Sequence, residues 1–205
     1  MIQLVARQNI SIVAGEKYHV FNRGVDKRDI FLDKFDYIRF YNYLMYFNTV
    51  KPTISYRLAK SSHDKNAKKL VNIIAYSLLP NHYHLIVEPL SDKGLSEFIK
   101  RISGSYTSYF NEKNDRSGVL FQGRYKKVHV ATDEQFQYLF AYVNENHYVH
   151  NINTQRELYH SSSVHYQNVG KSKIINEVRT YNFPEGKQLA EYIYERRSSY
   201  KDSLE

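Results

Sequence analysis

The chain has 205 residues, enough for one well-buried core, and its 42% hydrophobic and 24% charged content excludes a wholly disordered or fibrous chain. The 29 Lys+Arg against 21 Asp+Glu leave a net charge of +8, which favours polyanionic partners such as nucleic acid, although an ordinary basic surface gives the same sum. Cysteine is absent, which excludes a disulfide framework and a thiolate nucleophile or ligand, so any metal must rest on His, carboxylate or amide groups.

Met1 to Gly15 lacks an apolar run followed by a small-residue cleavage site, and no apolar run elsewhere approaches membrane-spanning length, so a cytoplasmic protein is expected. Tyr18 to Arg23 is aromatic and β-branched in part and runs into Gly24, which predicts a strand ending in a turn. Asp33 then caps a helix in which Phe35, Ile38, Tyr41, Leu44, Met45 and Phe47 recur near helical spacing, stopped by Lys51-Pro52. Lys60 to Lys69 is polar and unpatterned and predicts an exposed loop or insertion. Val71 to Leu79 and Tyr83 to Val87 read as strands joined through Pro80-Asn81. Leu95, Phe98, Ile99, Ile102, Tyr106, Tyr109 and Phe110 trace a second helix, and the stretch from Phe121 to Val130 is a loop entering a fourth strand. A third helix follows, from a Thr132-Asp133-Glu134-Gln135 capping box to about His147.

That order predicts an α+β fold: a ferredoxin-like βαββαβ antiparallel sheet with helices on one face, plus an additional tyrosine-bearing helix. Beyond residue 150 the chain is rich in Asn, Ser and His, then recovers helical spacing at Leu189, Ile193 and Tyr194. The expected division is a main domain over 1–165 and a C-terminal helical extension over 166–205, with one helix.

The candidate chemistry begins at Pro80-Asn81-His82-Tyr83-His84. Residues i and i+2 of a strand face the same way, so His82 and His84 project together and can share one ion, although two unrelated histidines at a strand start give the same pattern. In the third helix Tyr138, Tyr142 and Asn146 fall at i, i+4 and i+8, a stripe left open while Phe136, Leu139, Phe140 and Val143 carry the packing. A half-buried tyrosine and a helix-end asparagine would look no different, and periodicity does not choose between them.

Five blocks in order carry a resemblance: Tyr18-His19-Val20-Phe21-Asn22-Arg23-Gly24, Ile30-Phe31-Leu32, Leu79 to Val87 around the histidine pair, Leu120-Phe121-Gln122-Gly123-Arg124-Tyr125-Lys126, and Tyr142-Val143-Asn144-Glu145-Asn146. From Tyr18 to about His150 the chain resembles the HUH single-tyrosine transposases, the small insertion-sequence and REP-associated tyrosine transposases. The resemblance implies that His82, His84 and Asn146 hold a divalent metal ion, Mg or Mn, and that Tyr142 is the nucleophile, with Tyr138 second. It implies attack on single-stranded DNA through a 5′-phosphotyrosine intermediate, a hairpin or palindrome in that DNA, and relatives that act as monomers or as homodimers. Tyr83 fills the middle of the HUH motif where smaller aliphatics also occur, and His147 stands where many relatives have proline, which leaves Asn144 as a competing ligand.

DNA contacts are expected from Arg23, Lys100, Arg101, Arg124, Tyr125, Lys126 and Lys127, with Lys113, Arg116, Tyr106 and Tyr109 as further candidates; solvated helix and loop surface is the plainer origin of each. Two other functions stay open: a catalytically idle DNA-hairpin-binding or regulatory protein derived from such a transposase, and an RNA-binding module on a ferredoxin-like sheet that needs no metal.

Overall fold

Side chains alternate across a strand, so the register of a sheet decides which residues meet the helices and which meet the other side. The computed structural model describes residues 11–51, 55–149, 160–163, 166, 174, 175, 191 and 195. Strands β1 (Lys17–Arg23), β2 (Val71–Leu79), β3 (His82–Pro89), β4 (Lys126–Val130) and β5 (His160–Ser161) form one antiparallel sheet in the order β4-β1-β3-β2-β5. Helices α1 (Lys34–Tyr46) and α3 (Gly94–Lys113) connect β1 to β2 and β3 to β4. Both cover one face, where Tyr18, Val20, Tyr83, Leu85 and Val87 of the strands meet Phe40, Leu44, Phe98, Ile102 and Tyr106. This is the expected α+β, ferredoxin-like order, with β5 added beside β2.

Helix α4 (Asp133–Asn144) packs on the opposite face, burying Leu139, Tyr142 and Val143 with Ala75, Ile86 and Val130. It ends earlier than periodicity suggests: Glu145 caps it, and Asn146–Val149 form a separate turn, α5. A short helix α2 (Tyr56–Ser61) precedes the exposed 62–66 stretch; with one buried residue, Ala59, it has no periodicity to read. The helix expected around Leu189, Ile193 and Tyr194 lies outside the described residues. Ile174 and Ile175 join the core on the α1–α3 face, and Ile175 bridges to Ile73.

The turn that precedes the histidine pair is held by the chain that leaves β1. Gly24 N donates to the Asn81 carbonyl (2.8 Å), and Ile30 N and Phe31 N both donate to the Pro80 carbonyl (2.7 and 3.0 Å). Asn81 Nδ2 returns a bond to the Lys27 carbonyl (3.2 Å). Ile30 and Phe31 are buried, so these donors sit on anchored backbone. Gly24 has an ordinary negative φ, and its requirement is space: a Cβ there would lie 2.2 Å from the Arg28 carbonyl oxygen. Gly24→Ala is therefore expected to destabilise the fold by about 1–3 kcal/mol in urea unfolding through overpacking against backbone that cannot yield.

Candidate active site

The β1–β3 register sets Phe21 opposite His84 and Arg23 opposite His82. With a two-residue period, His19, Phe21, Arg23, His82 and His84 all lie on the face that α4 covers. His84 and His19 are buried, whereas His82 is partly exposed. His19 Nε2 is 2.9 Å from His84 Nδ1, with the two rings stacked at 5.1 Å and 10°. Phe21 stacks on both, at 5.0 Å from His19 and 5.4 Å from His84. His82 Nδ1 lies 2.5 Å from Asn81 Oδ1, an oxygen that can only accept, so the ring proton sits on Nδ1. Each histidine of the pair is thus engaged through Nδ1. When His84 Nδ1 donates to His19, both rings present an Nε2 lone pair, the arrangement in which a neighbour fixes the tautomer of a metal-binding imidazole.

Helix α4 is oriented by its first turn. Thr132 Oγ1 accepts from Gln135 N (3.2 Å), while the Gln135 side chain accepts from Ala131 N (2.8 Å) and donates to the His129 carbonyl at the end of β4 (3.0 Å). The expected Thr132–Gln135 box therefore ties helix to strand and sets the helix rotation. Two turns on, the Tyr142 ring meets His84 edge-on (centroids 5.5 Å, 86°) and His19 at 6.4 Å and 79°, with Tyr138 stacked behind it at 6.3 Å.

The stripe Tyr138, Tyr142 and Asn146, expected from the pattern to be open, is instead buried along with Phe136, Leu139, Phe140 and Val143. Helix α4 lies between the sheet, where Tyr142 meets His84 and His19, and chain from the tail, where Ser162 Oγ donates to Asn144 Oδ1 (2.6 Å) and Tyr166 packs edge-on against Phe140 at 4.8 Å. Tyr142 is 3% exposed. Burial also raises the Glu145 carboxyl pKa and lowers that of His147.

The two asparagines differ sharply. Asn144 donates Nδ2 to the Phe140 carbonyl (2.9 Å) and accepts from Ser162, so the amide of the competing ligand is engaged within the fold. Asn146 is fully buried, yet neither Oδ1 nor Nδ2 has a hydrogen-bond partner among the described residues. A buried amide left in this state is costly unless something else meets it. Two imidazoles keyed at Nδ1 and one orphaned amide oxygen are a donor set suited to a divalent ion. Among the described residues no group of three or more His, Cys, Asp or Glu side chains forms a metal cluster, so a site here depends on the amide.

The basic residues divide. Arg101 is engaged internally, with Glu97 (2.8 Å) and the Thr49 and Lys51 carbonyls (2.7 and 3.0 Å). Lys113 binds Asp33 and the buried Asp36, and Arg116 binds Asn111 and the Val119 carbonyl. Tyr106 is core, its hydroxyl donating to the Ile30 carbonyl (2.6 Å), and Tyr109 donates to Asp36. Lys100, Arg124, Lys126 and Arg23 are exposed, Arg23 bonding Gln122, while Tyr125 and Lys127 are half-buried. His19 was not singled out by the sequence; its signal was parity, since it shares a strand face with Phe21 and Arg23.

Residues 45–146, about half of the chain, match the family model described as Transposase IS200 like. No curated protein sequence matches the chain. Among solved structures, a REP-associated tyrosine transposase bound to a REP hairpin superposes with a TM-score of 0.54 at 13% identity, over 89% of this chain and 98% of that one. At that identity the likeness speaks for the fold.

The contrast between the asparagines is measurable. Asn144→Ala is expected to cost about 1–3 kcal/mol in urea unfolding, because its buried bonds to Ser162 and the Phe140 carbonyl are both lost, while Asn146→Ala, which breaks no hydrogen bond among the described residues, should cost clearly less.

Proposed function

The chain belongs to the HUH single-tyrosine transposase family, and we propose that within it the protein is a metal-dependent single-stranded DNA endonuclease and strand transferase. Its tie to DNA transposition follows from the family; the chemistry is our own inference. Tyr142 is the nucleophile, and His82, His84 and Asn146 hold the ion. The observation that carries this is the Tyr142 ring standing edge-on against His84, whose partner histidine is keyed to present the same ring nitrogen.

A phenol has a pKa of about 10, so near pH 7 only about one in a thousand is ionised and attack on a phosphodiester needs assistance. A divalent ion, Mg or Mn, would supply Lewis-acid stabilisation of the phosphate charge when bound. The protein's own part is positional. Asn81 and His19 hold the His82 and His84 rings, the Gln135 cap sets the rotation of α4, and α4 delivers the Tyr142 oxygen. That oxygen forms a bond to phosphorus as the bond to the 3′ oxygen breaks, which leaves a 5′-phosphotyrosine and a 3′-hydroxyl. One ester replaces another, so the step reverses onto a new strand without ATP. Because Tyr142 and Asn146 are buried, the phosphate is admitted only when α4 shifts from the sheet. The partner is single-stranded DNA with a hairpin, a reading supported by the similar transposase having been solved bound to a REP hairpin.

The test is incubation with labelled, hairpin-bearing single-stranded DNA and manganese, followed by a denaturing gel. Wild type should form a covalent adduct and Tyr142→Phe none; an adduct that survives Tyr142→Phe moves the nucleophile elsewhere. His19→Ala should weaken manganese binding about 10–100-fold in calorimetry, as loss of a ligand-orienting neighbour does. The burial of Tyr142 favours one second reading, an idle hairpin-binding protein. Hairpin binding by wild type with no adduct would support it.

A further inference from the structure

A cavity of about 740 Å³ lies on the α3 side of the sheet, at the β4 edge, across the sheet from Tyr142. Lys100, Arg124 and Lys127 supply charge to its wall and Tyr125 an aromatic face, and no carboxylate lines it. Burial, and then the charge of Arg124, lower the Lys127 pKa, so cations crowd here as they do where an anion is to be received.

Gly104 lines the same cavity, inside the 20-residue α3. Glycine in a helix interior weakens it relative to alanine, and neither of the usual reasons applies. No left-handed φ requires it, and a Cβ at 104 would meet nothing within 4 Å. Among the described residues nothing fills the space a side chain at 104 would take, which keeps room for something that approaches from outside.

Consecutive residues of a strand face opposite ways, and β4 is an edge strand. Lys126 points to the Tyr142 face, its Nζ 5.7 Å from the Phe21 ring, while Lys127 points to the cavity, its Nζ 5.9 Å from the Tyr125 ring. Positive charge therefore continues around the edge from one face to the other.

Resting on the reading that the partner is single-stranded DNA, we propose that this cavity takes one unpaired nucleotide of the strand. The base lies against Gly104 and Tyr125, the phosphate sits among Lys100, Arg124 and Lys127, and the strand crosses the β4 edge at Lys126 toward Tyr142. A base has a flat face for the tyrosine and a phosphate for the cations, and a cavity of this size lies within the range of small-ligand sites.

The test uses the full chain with Tyr142→Phe, so that binding is read without cleavage, and a fluorescein-labelled oligodeoxythymidylate at fixed salt. Gly104→Leu should weaken anisotropy-measured binding about tenfold, the scale of one lost base-stacking contact, with a melting midpoint at or above that of the parent. Gly104→Ala should melt higher than the parent. Lys127→Ala should reduce the slope of log affinity against log salt by about one. Unchanged affinity in a folded Gly104→Leu protein overturns the proposal, as does displacement of the oligonucleotide by thymidine monophosphate at equal affinity, which would make this a free-nucleotide site. Failure of the Tyr142 reaction reads out separately: binding that is lost in Gly104→Leu, in a protein whose wild type never forms an adduct, sinks the chemistry and leaves the cavity standing.

Discussion

The pairing of β1 with β3 is the constraint on which the rest of this structure depends. It sets Phe21 across from His84 and lets His19 reach the His84 ring from the same face. A one-residue slip would turn every side chain of the strand over, sending His19 into the α1–α3 core and bringing Tyr18 and Val20 to the site. What prevents the slip is apolar. Tyr18 and Val20 are buried against the helices beside Tyr83, Leu85 and Val87, so the alternative register would take both out of that core and put His19 in it. The polar cluster is thus held in place by the hydrophobic residues between its members.

One buried amide is left without hydrogen-bond partners among the described residues. Elsewhere buried amides are fully used: Asn48 accepts from Leu70 N and Val71 N and donates to the Val71 carbonyl, closing the start of β2. Asn146 is buried with no such partners among the described residues. A fold that satisfies one internal asparagine three times over and leaves another bare carries an uncompensated desolvation cost at Asn146. The cost is local, because Thr132, Gln135 and the Ser162–Asn144 bond hold α4 independently of Asn146.

Much of the architecture was legible in the sequence, because its signals are local and strong. The strands 18–23 and 71–79 with their bounding turns, the α3 stripe and the Thr132–Gln135 cap each depend on neighbours within a few residues. The pairing of His82 and His84 on one face is a matter of parity and was also legible. The burial of Tyr142 was not, since it depends on α4 lying back on the sheet face that carries His84 and His19, a contact of long sequence separation with no periodic signature. Arg101, Lys113 and Arg116 likewise looked like free cations; their partners Lys51, Asp36 and Val119 lie in loops or on other helices, and charge alone does not say whether a guanidinium faces water or a carbonyl. Helix α2 was missed because six residues are too few to carry a period.

The central claim is that His82, His84 and Asn146 close on one ion with the Tyr142 oxygen directed at the same point. Crystals of the full chain soaked in manganese and measured at the manganese absorption edge test it directly. An anomalous peak bonded to Nε2 of both histidines and to Oδ1 of Asn146 is the expected result. A peak elsewhere, or an Asn146 amide turned away from the histidines in the presence of the ion, contradicts it.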